Sequence, residues 1–252
     1  MCLIKLRNII GLVTISFAFY SCTKPIMYFP NTTTTQVLKE KGDINLSGSL
    51  GTNGFETQGT YTYQENIGVI SSLNYYNGKN QPDSTIDSFY QLFSEIGLGY
   101  NFPLKSDNVI LSSFIGIGVG DVKRKNKFNQ HKGTYLKQFI QLNFGYHGES
   151  FDIYLINKVS NINFIRWKSS YKSNLNDNKM DFKYDASFNE FLIHIALGNN
   201  DIKFFLQNGF SLLMNGDYDN LVYSQFPLIW VGGINIKFNP MKSKKKNPEI
   251  IF

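Results

Sequence analysis

Cysteine is nearly missing from this chain: Cys2 and Cys22 are the two it has in 252 residues. A disulfide framework or a Cys-based metal site is therefore excluded for any product that loses the first of them. Histidine is as scarce, with three residues, and tryptophan numbers two. Long hydrophobic runs are also lacking. Ile9 to Tyr20, twelve residues without a charge, is the one long apolar run, and as a helix it would cover ~18 Å of the ~30 Å hydrocarbon core. That excludes a multi-helix membrane protein. From Gly42 onward no segment carries a 3.6-residue periodicity. Hydrophobic residues at 42% and charged residues at 17% exclude a disordered chain and a coiled coil. What is abundant is aromatic and small: 22 Phe, 15 Tyr and 21 Gly, a mixture that suits many alternating strands.

The N-terminus reads as a targeting segment. Lys5 and Arg7 precede the apolar run, which ends Phe19-Tyr20-Ser21-Cys22. A basic start followed by a short apolar stretch is the pattern of a secretory signal. The small Ser21 immediately before Cys22 resembles a bacterial lipobox, although Phe19 and Tyr20 stand where that motif usually carries Leu and a small residue. The resemblance implies cleavage after residue 21 and acylation of Cys22, and two or more acyl chains anchor firmly where one is marginal. Residues 22–41, with Pro25, Pro30 and the Thr32–Thr35 run, show no alternation and read as an extended linker.

Residues 42–238 read as a transmembrane barrel. Ten runs alternate with period 2, among them Tyr90-Leu92-Ser94-Ile96-Leu98-Tyr100, Val109 to Val119, Leu136 to Tyr146, Ile202 to Met214 and Phe226 to Phe238. The seventh, Phe151-Ile153-Leu155, is the weakest. Several exceed the usual 5–6 residues of a soluble strand and match the ~9–11 that a tilted strand needs to cross a bilayer. Aromatics recur near run ends (Tyr75, Tyr76, Tyr90, Tyr100, Phe102, Tyr146, Phe226, Phe238), as in interfacial girdles. The gaps alternate short and long. Gln64–Asn66, Pro103–Asp107, His147–Ser150 and Gly198–Asn200 are short; Asn77–Asp87, Gly120–Gly133, Ser160–Ser187 and Asn215–Gln225 are long. The exception is Thr52-Asn53-Gly54, a tight hairpin signal where a long loop is expected.

On these features, and on the stretch from Tyr28-Phe29-Pro30-Asn31 through Lys39-Glu40-Lys41-Gly42-Asp43 to Gly51-Thr52-Asn53-Gly54-Phe55, the chain resembles the small outer-membrane β-barrel lipoproteins of Gram-negative bacteria. The resemblance implies an all-β, antiparallel transmembrane barrel of about ten strands in the outer membrane, with outer-membrane lipid and the barrel-assembly machinery as partners. Its aromatic last strand ends at Phe238. A basic tail, residues 239–252, follows. Short turns on the periplasmic side and an even strand number place both termini in the periplasm. The resemblance implies no activity.

Chemistry-bearing residues are few. His131, His147 and His194 fall on separate segments, which speaks against a shared metal site. His147-Gly148-Glu149-Ser150 lacks the geometry of a hydrolytic triad. Rim proteolysis would need His131 with Asp217 or Asp219. Gly116-Ile117-Gly118-Val119-Gly120 is not followed by a helix, so it reads as small inward residues that make room for large ones rather than as a phosphate loop. The inward phase carries Glu56, Glu95 and Glu190 with Lys137, Lys158 and Lys203, expected to pair because an unpaired buried ion is costly. The formal charge is +6. The segment from Asp121 to Gly133 concentrates Lys123, Arg124, Lys125, Lys127 and Lys132 against Asp121, a basic outer loop suited to lipopolysaccharide phosphates. No nucleic-acid-binding fold accompanies it. The sequence thus points to a non-enzymatic, structural or surface-binding lipoprotein without cofactor or metal, with a narrow solute channel or an outer-membrane hydrolase as alternatives.

Overall fold

The computed structural model describes residues 28–80, 87–106, 108–125, 129–171, 179–180, 185–215 and 228–243. Ten long strands form the wall: β1 (Ile44–Gly51), β2 (Gly54–Gln64), β3 (Ile67–Asn80), β4 (Asp87–Phe102), β5 (Val109–Lys125), β6 (Asn129–His147), β7 (Phe151–Tyr171), β9 (Asp185–Gly198), β10 (Ile202–Asn215) and β11 (Leu228–Phe238). Each neighbouring pair is antiparallel. The sheet closes because β1 pairs with β11, Ile44 opposite Phe238, and β6 pairs with β7. The two-residue β8 (Lys179–Met180) pairs with Ser169 and Ser170 of β7. A four-residue helix, α1 (Pro240–Ser243), follows β11. The expected ten-stranded antiparallel barrel is what the chain forms.

Short connections gather at one end, at residues 65–66, 103–108, 148–150 and 199–201. Asn66 there has φ 65°, a left-handed conformation that asparagine tolerates. At the other end the hairpin Thr52-Asn53 closes β1 on β2, with Gly54 at φ +92°. A Cβ on Gly54 would lie 2.3 Å from the Tyr75 carbonyl oxygen, so glycine is required.

The wall is uneven. β1 has 8 residues, β5 17, β6 19 and β7 21, so the long-loop rim is low at the β1–β2 hairpin and high across β5–β7. Much of what reads as the 120–133 loop is therefore strand. β7 is the longest strand although its sequence signal is the weakest. Two features hide it. Asn157, Asn161 and Asn163 occupy the outward phase. A bulge then shifts the register, so that Thr134 faces Arg166 while Tyr135 faces Phe164, and alternation is lost beyond it.

Around the girdle the outward side chains are apolar and exposed, for example Leu98, Ile115, Ile140, Leu155, Leu197, Phe204 and Ile236. A continuous belt of this kind is stable only when lipid covers it. Above the belt the polarity inverts. Lys123, Lys132 and Lys168 point outward, whereas Phe93, Val122, Tyr135, Phe164, Trp167 and Phe188 form an internal cluster with Tyr28. Tyr76, expected in the outer girdle, belongs to this inner layer and stacks on Phe29 with ring centroids 5.0 Å apart. Inward glycines of β5 make room for it: a Cβ on Gly118 would meet the Phe93 ring at 2.6 Å, and one on Gly120 the Tyr135 ring at 2.3 Å.

The lumen holds more than wall side chains. Residues 31–38, read from sequence as linker, are buried. Tyr28 packs on Tyr135 and Phe188 at the long-loop end. Leu38 packs with Ile70, Phe114 and Phe139, and its carbonyl accepts a bond from Asn101 towards the short-turn end. The chain then turns at residues 40–43 into β1. Residues 28–38 thus form a strap threaded through the barrel. The linker reading fails for them because a barrel of eight strands is already filled by side chains, and two further strands leave space for one extended segment. Tyr28 and Phe238 lie at opposite ends of the barrel, and the two chain termini, expected on one side, lie outside the described residues.

Candidate functional site

The lumen is built from strap and wall together. Primary amides on the wall treat the strap backbone as a neighbouring strand would. The Phe29 N–H donates to Gln91 Oε1, and Gln91 Nε2 donates back to the Phe29 carbonyl, each at 3.1 Å. Gln207 does the same at Thr33, accepting from its N–H at 3.2 Å and donating to its carbonyl at 2.8 Å. Gln58 donates to the Thr32 carbonyl, and Gln141 and Asn143 both donate to that of Thr34. An amide carries donor and acceptor in peptide geometry, so it satisfies backbone groups that would otherwise be buried unpaired.

Charges lie at the middle of this arrangement. Glu95 faces Lys158 at 3.3 Å and Lys137 at 3.7 Å. Asn31 of the strap ties them together: its Nδ2 donates to Glu95 at 2.7 Å, and its Oδ1 accepts from Lys137 at 2.6 Å and from Lys158 at 3.3 Å. The ammonium of Lys158 also lies 4.3 Å from the Phe139 ring centroid, a cation–π contact. Glu56 instead accepts the Thr32 N–H at 2.8 Å and a bond from Asn53. Glu190 accepts from the Tyr28 hydroxyl and Ser160. The expected inward ions are all in place, but two of the three carboxylates, Glu56 and Glu190, are met by the strap and by neutral wall side chains rather than by a lysine ion pair. Lys203 belongs elsewhere: near the short-turn end it donates to Asp152 at 2.7 Å.

The three histidines sit in three environments. His194 is buried against Thr35, Gln207 and Phe205. His147 Nδ1 lies 2.8 Å from Asp152 Oδ1, the carboxylate oxygen that Lys203 also binds. Its acidic partner is thus Asp152, not Glu149. His131 stacks on Trp167 at the long-loop end, with centroids 5.8 Å apart. Asp217 and Asp219, its sequence-level partners in rim proteolysis, lie outside the described residues. Among the described residues no group of three or more His, Cys, Asp or Glu is placed to hold a metal.

Of the basic residues singled out in sequence, Lys123 and Lys125 are exposed on the outer face of β5 and Lys132 on that of β6. They stand on strand rather than on a loop. Arg124 falls in the inward phase of β5, opposite His131, and does not share their face. Lys127 and Cys22 lie outside the described residues. Arg166 and Lys168 of β7, exposed beside them, were not found by sequence reasoning because their strand was not recognised.

No protein-family model matches the chain, and no curated protein matches it. Solved structures do. The outer membrane protease OmpT from Escherichia coli aligns with a TM-score of 0.55 at 10% identity, over 82% of this chain and 100% of its own. The translocator domain of the autotransporter NalP from Neisseria meningitidis aligns at 0.48 with 8% identity, over 78% and 86%. The β domain of the Bordetella autotransporter BrkA aligns at 0.42 with 10% identity, over 78% and 98%. Identities this low carry the fold and not the activity. The chain is an all-β, ten-stranded, antiparallel closed barrel of the outer-membrane kind.

Proposed function

We propose that this protein is an outer-membrane lipoprotein, acylated at Cys22, whose plugged barrel has a structural or surface-binding role without enzymatic activity. The observation that carries the reading is the strap. Residues 31–38 fill the lumen and are held by amides from β2, β4, β6 and β10, which leaves the barrel closed to solutes and speaks against the channel reading. The strap also supports an orientation. If short turns face the periplasm, as in outer-membrane barrels generally, Tyr28 sits at the outer mouth. Cys22 is six residues upstream, a reach of about 20 Å at full extension. We place the acylated N-terminus on the outer side and Phe238, with its basic tail, on the periplasmic side where the assembly machinery works.

Two assays test the reading. In a planar bilayer the full-length protein is expected to be silent, and stepwise conductance would refute the closed barrel. OmpT shares the fold and is a protease, so a peptide-library cleavage screen tests the non-enzymatic part. No cleavage is expected, since the described His147–Asp152 pair is also engaged by Lys203. Cleavage by the purified barrel would overturn it.

A further inference from the structure

Side chains on the outer wall of β4–β7 fall into rows fixed by strand register. One row near the long-loop rim, just below Lys125, reads Tyr90, Lys123, Lys132, Lys168, directly opposite one another on successive strands. All three lysines are exposed. Like charges opposite one another across strands repel, and three adjacent lysines on one face call for an anionic partner. The next row, Leu92, Asp121, Thr134, Arg166, adds a cation, with Asp121 already accepting from the Thr134 hydroxyl at 2.7 Å. Asp185, at the edge of the patch opposite Asn163 on β9, is a second acidic neighbour. The cations nevertheless outnumber the acids.

Beneath the cations the outward phase turns to amides. Asn163 stands beside Leu136, and Asn161 beside Gln138. Amides on a lipid-facing wall lose hydration, at a cost unless a polar partner meets them. Lower still, the outward Ile96, Ile115, Ile117, Ile140 and Val159 line an open groove of about 760 Å³, with Gln138 and Asn161 at its polar side. Cations, then amides, then an apolar furrow follow in order down the same strands. The cation row and the groove are six residues apart, about 20 Å along a strand.

We infer that this face binds one outer-leaflet glycolipid, with its phosphorylated sugar headgroup on Lys123, Lys132, Lys168 and Arg166 and an acyl chain in the groove. The inference rests on the membrane-embedded, long-loop-out reading above. The occupant follows from the chemistry. The cations span three strands, which fits a headgroup bearing phosphates at two ends better than a single phosphodiester. The amides suit sugar hydroxyl and amide groups. This is the chemistry of lipid A, the acylated disaccharide bisphosphate of lipopolysaccharide.

The test is native mass spectrometry of the full-length protein in detergent micelles doped with lipid A, phosphatidylglycerol or inorganic phosphate. One lipid A is expected to be retained. Lys132→Glu/Lys168→Glu is expected to weaken its binding by at least about tenfold, and Lys41→Glu/Lys105→Glu, a charge-matched pair at the short-turn end, to leave it unchanged. Equal loss in both variants would show dependence on net charge alone and overturn the site. Equal retention of phosphatidylglycerol or of free phosphate would overturn the choice of occupant. Heat-modifiable gel mobility keeps the outcomes apart: a folded barrel that binds no lipid A refutes this site alone, whereas a chain that never becomes heat-modifiable refutes the membrane-barrel reading beneath it.

Discussion

Asn31→Leu is expected to destabilise the folded barrel by about 3–5 kcal/mol, the cost of taking hydrogen bonds away from buried charges that are left to pair only with one another. One side chain on the strap serves four charged groups, donating to Glu95 at 2.7 Å and to Glu56 at 3.4 Å and accepting from Lys137 at 2.6 Å and Lys158 at 3.3 Å. Leucine has similar bulk and no hydrogen-bonding group, so the charges lose those bonds while the space stays filled. Thr33→Val is the comparison. It removes a hydroxyl that meets Gln207 at 3.3 Å but keeps the backbone bonds to the same side chain, and should cost only about 0.5–1.5 kcal/mol. Urea titration of both variants in lipid vesicles reads the difference. Equal stability of the two would mean that the strap does not organise the charged centre.

The second large effect is on permeability. Replacing residues 30–37 by a Gly/Ser segment of equal length removes the side chains of Asn31, Thr32, Thr33 and Gln36 that meet Glu95, Gln58, Gln207 and Thr60, keeps only the backbone bonds to the wall amides, and raises the entropy cost of holding the segment in the lumen. Conductance should pass from silence in the intact protein to discrete steps in the variant, with cation preference, since Glu56, Glu95 and Glu190 then face water against Lys137 and Lys158. Silence from a variant whose gel mobility shows a folded barrel would mean that wall side chains alone close the lumen.

How far the sequence reached depended on which pairs were local. Period 2 in Tyr90 to Tyr100 or Val109 to Val119 is a property of one strand, and the short turns gave the strand order. The inward ions were legible for the same reason, since Glu95 and Lys137 fall in the phase opposite to the outward Ile96 and Leu136. The strap was not legible. Its Thr run has no alternation, and its partners lie up to 174 positions away. A signal was nevertheless present: Gln58, Gln91, Gln141, Asn143 and Gln207 all fall in the inward phase, where a barrel closed by its own wall would carry fewer amides without a backbone to bind. The upper half of β7 was missed because once a strand rises above the lipid its outward residues become Arg166 and Lys168 and its inward residues Phe164 and Trp167. The polarity that defines the lower strand is thereby reversed.

The central claim is a membrane barrel entered by its own N-terminus from the long-loop mouth, and antibody access on intact cells tests it most directly. An epitope inserted between Lys24 and Pro25 should stain whole cells, because Tyr28 lies at that mouth, while the same epitope between Asn199 and Asn200, in the turn joining β9 to β10, should stain only after the outer membrane is permeabilised. Staining of the first epitope only after permeabilisation, in a barrel that still shows heat-modifiable mobility, would contradict the account.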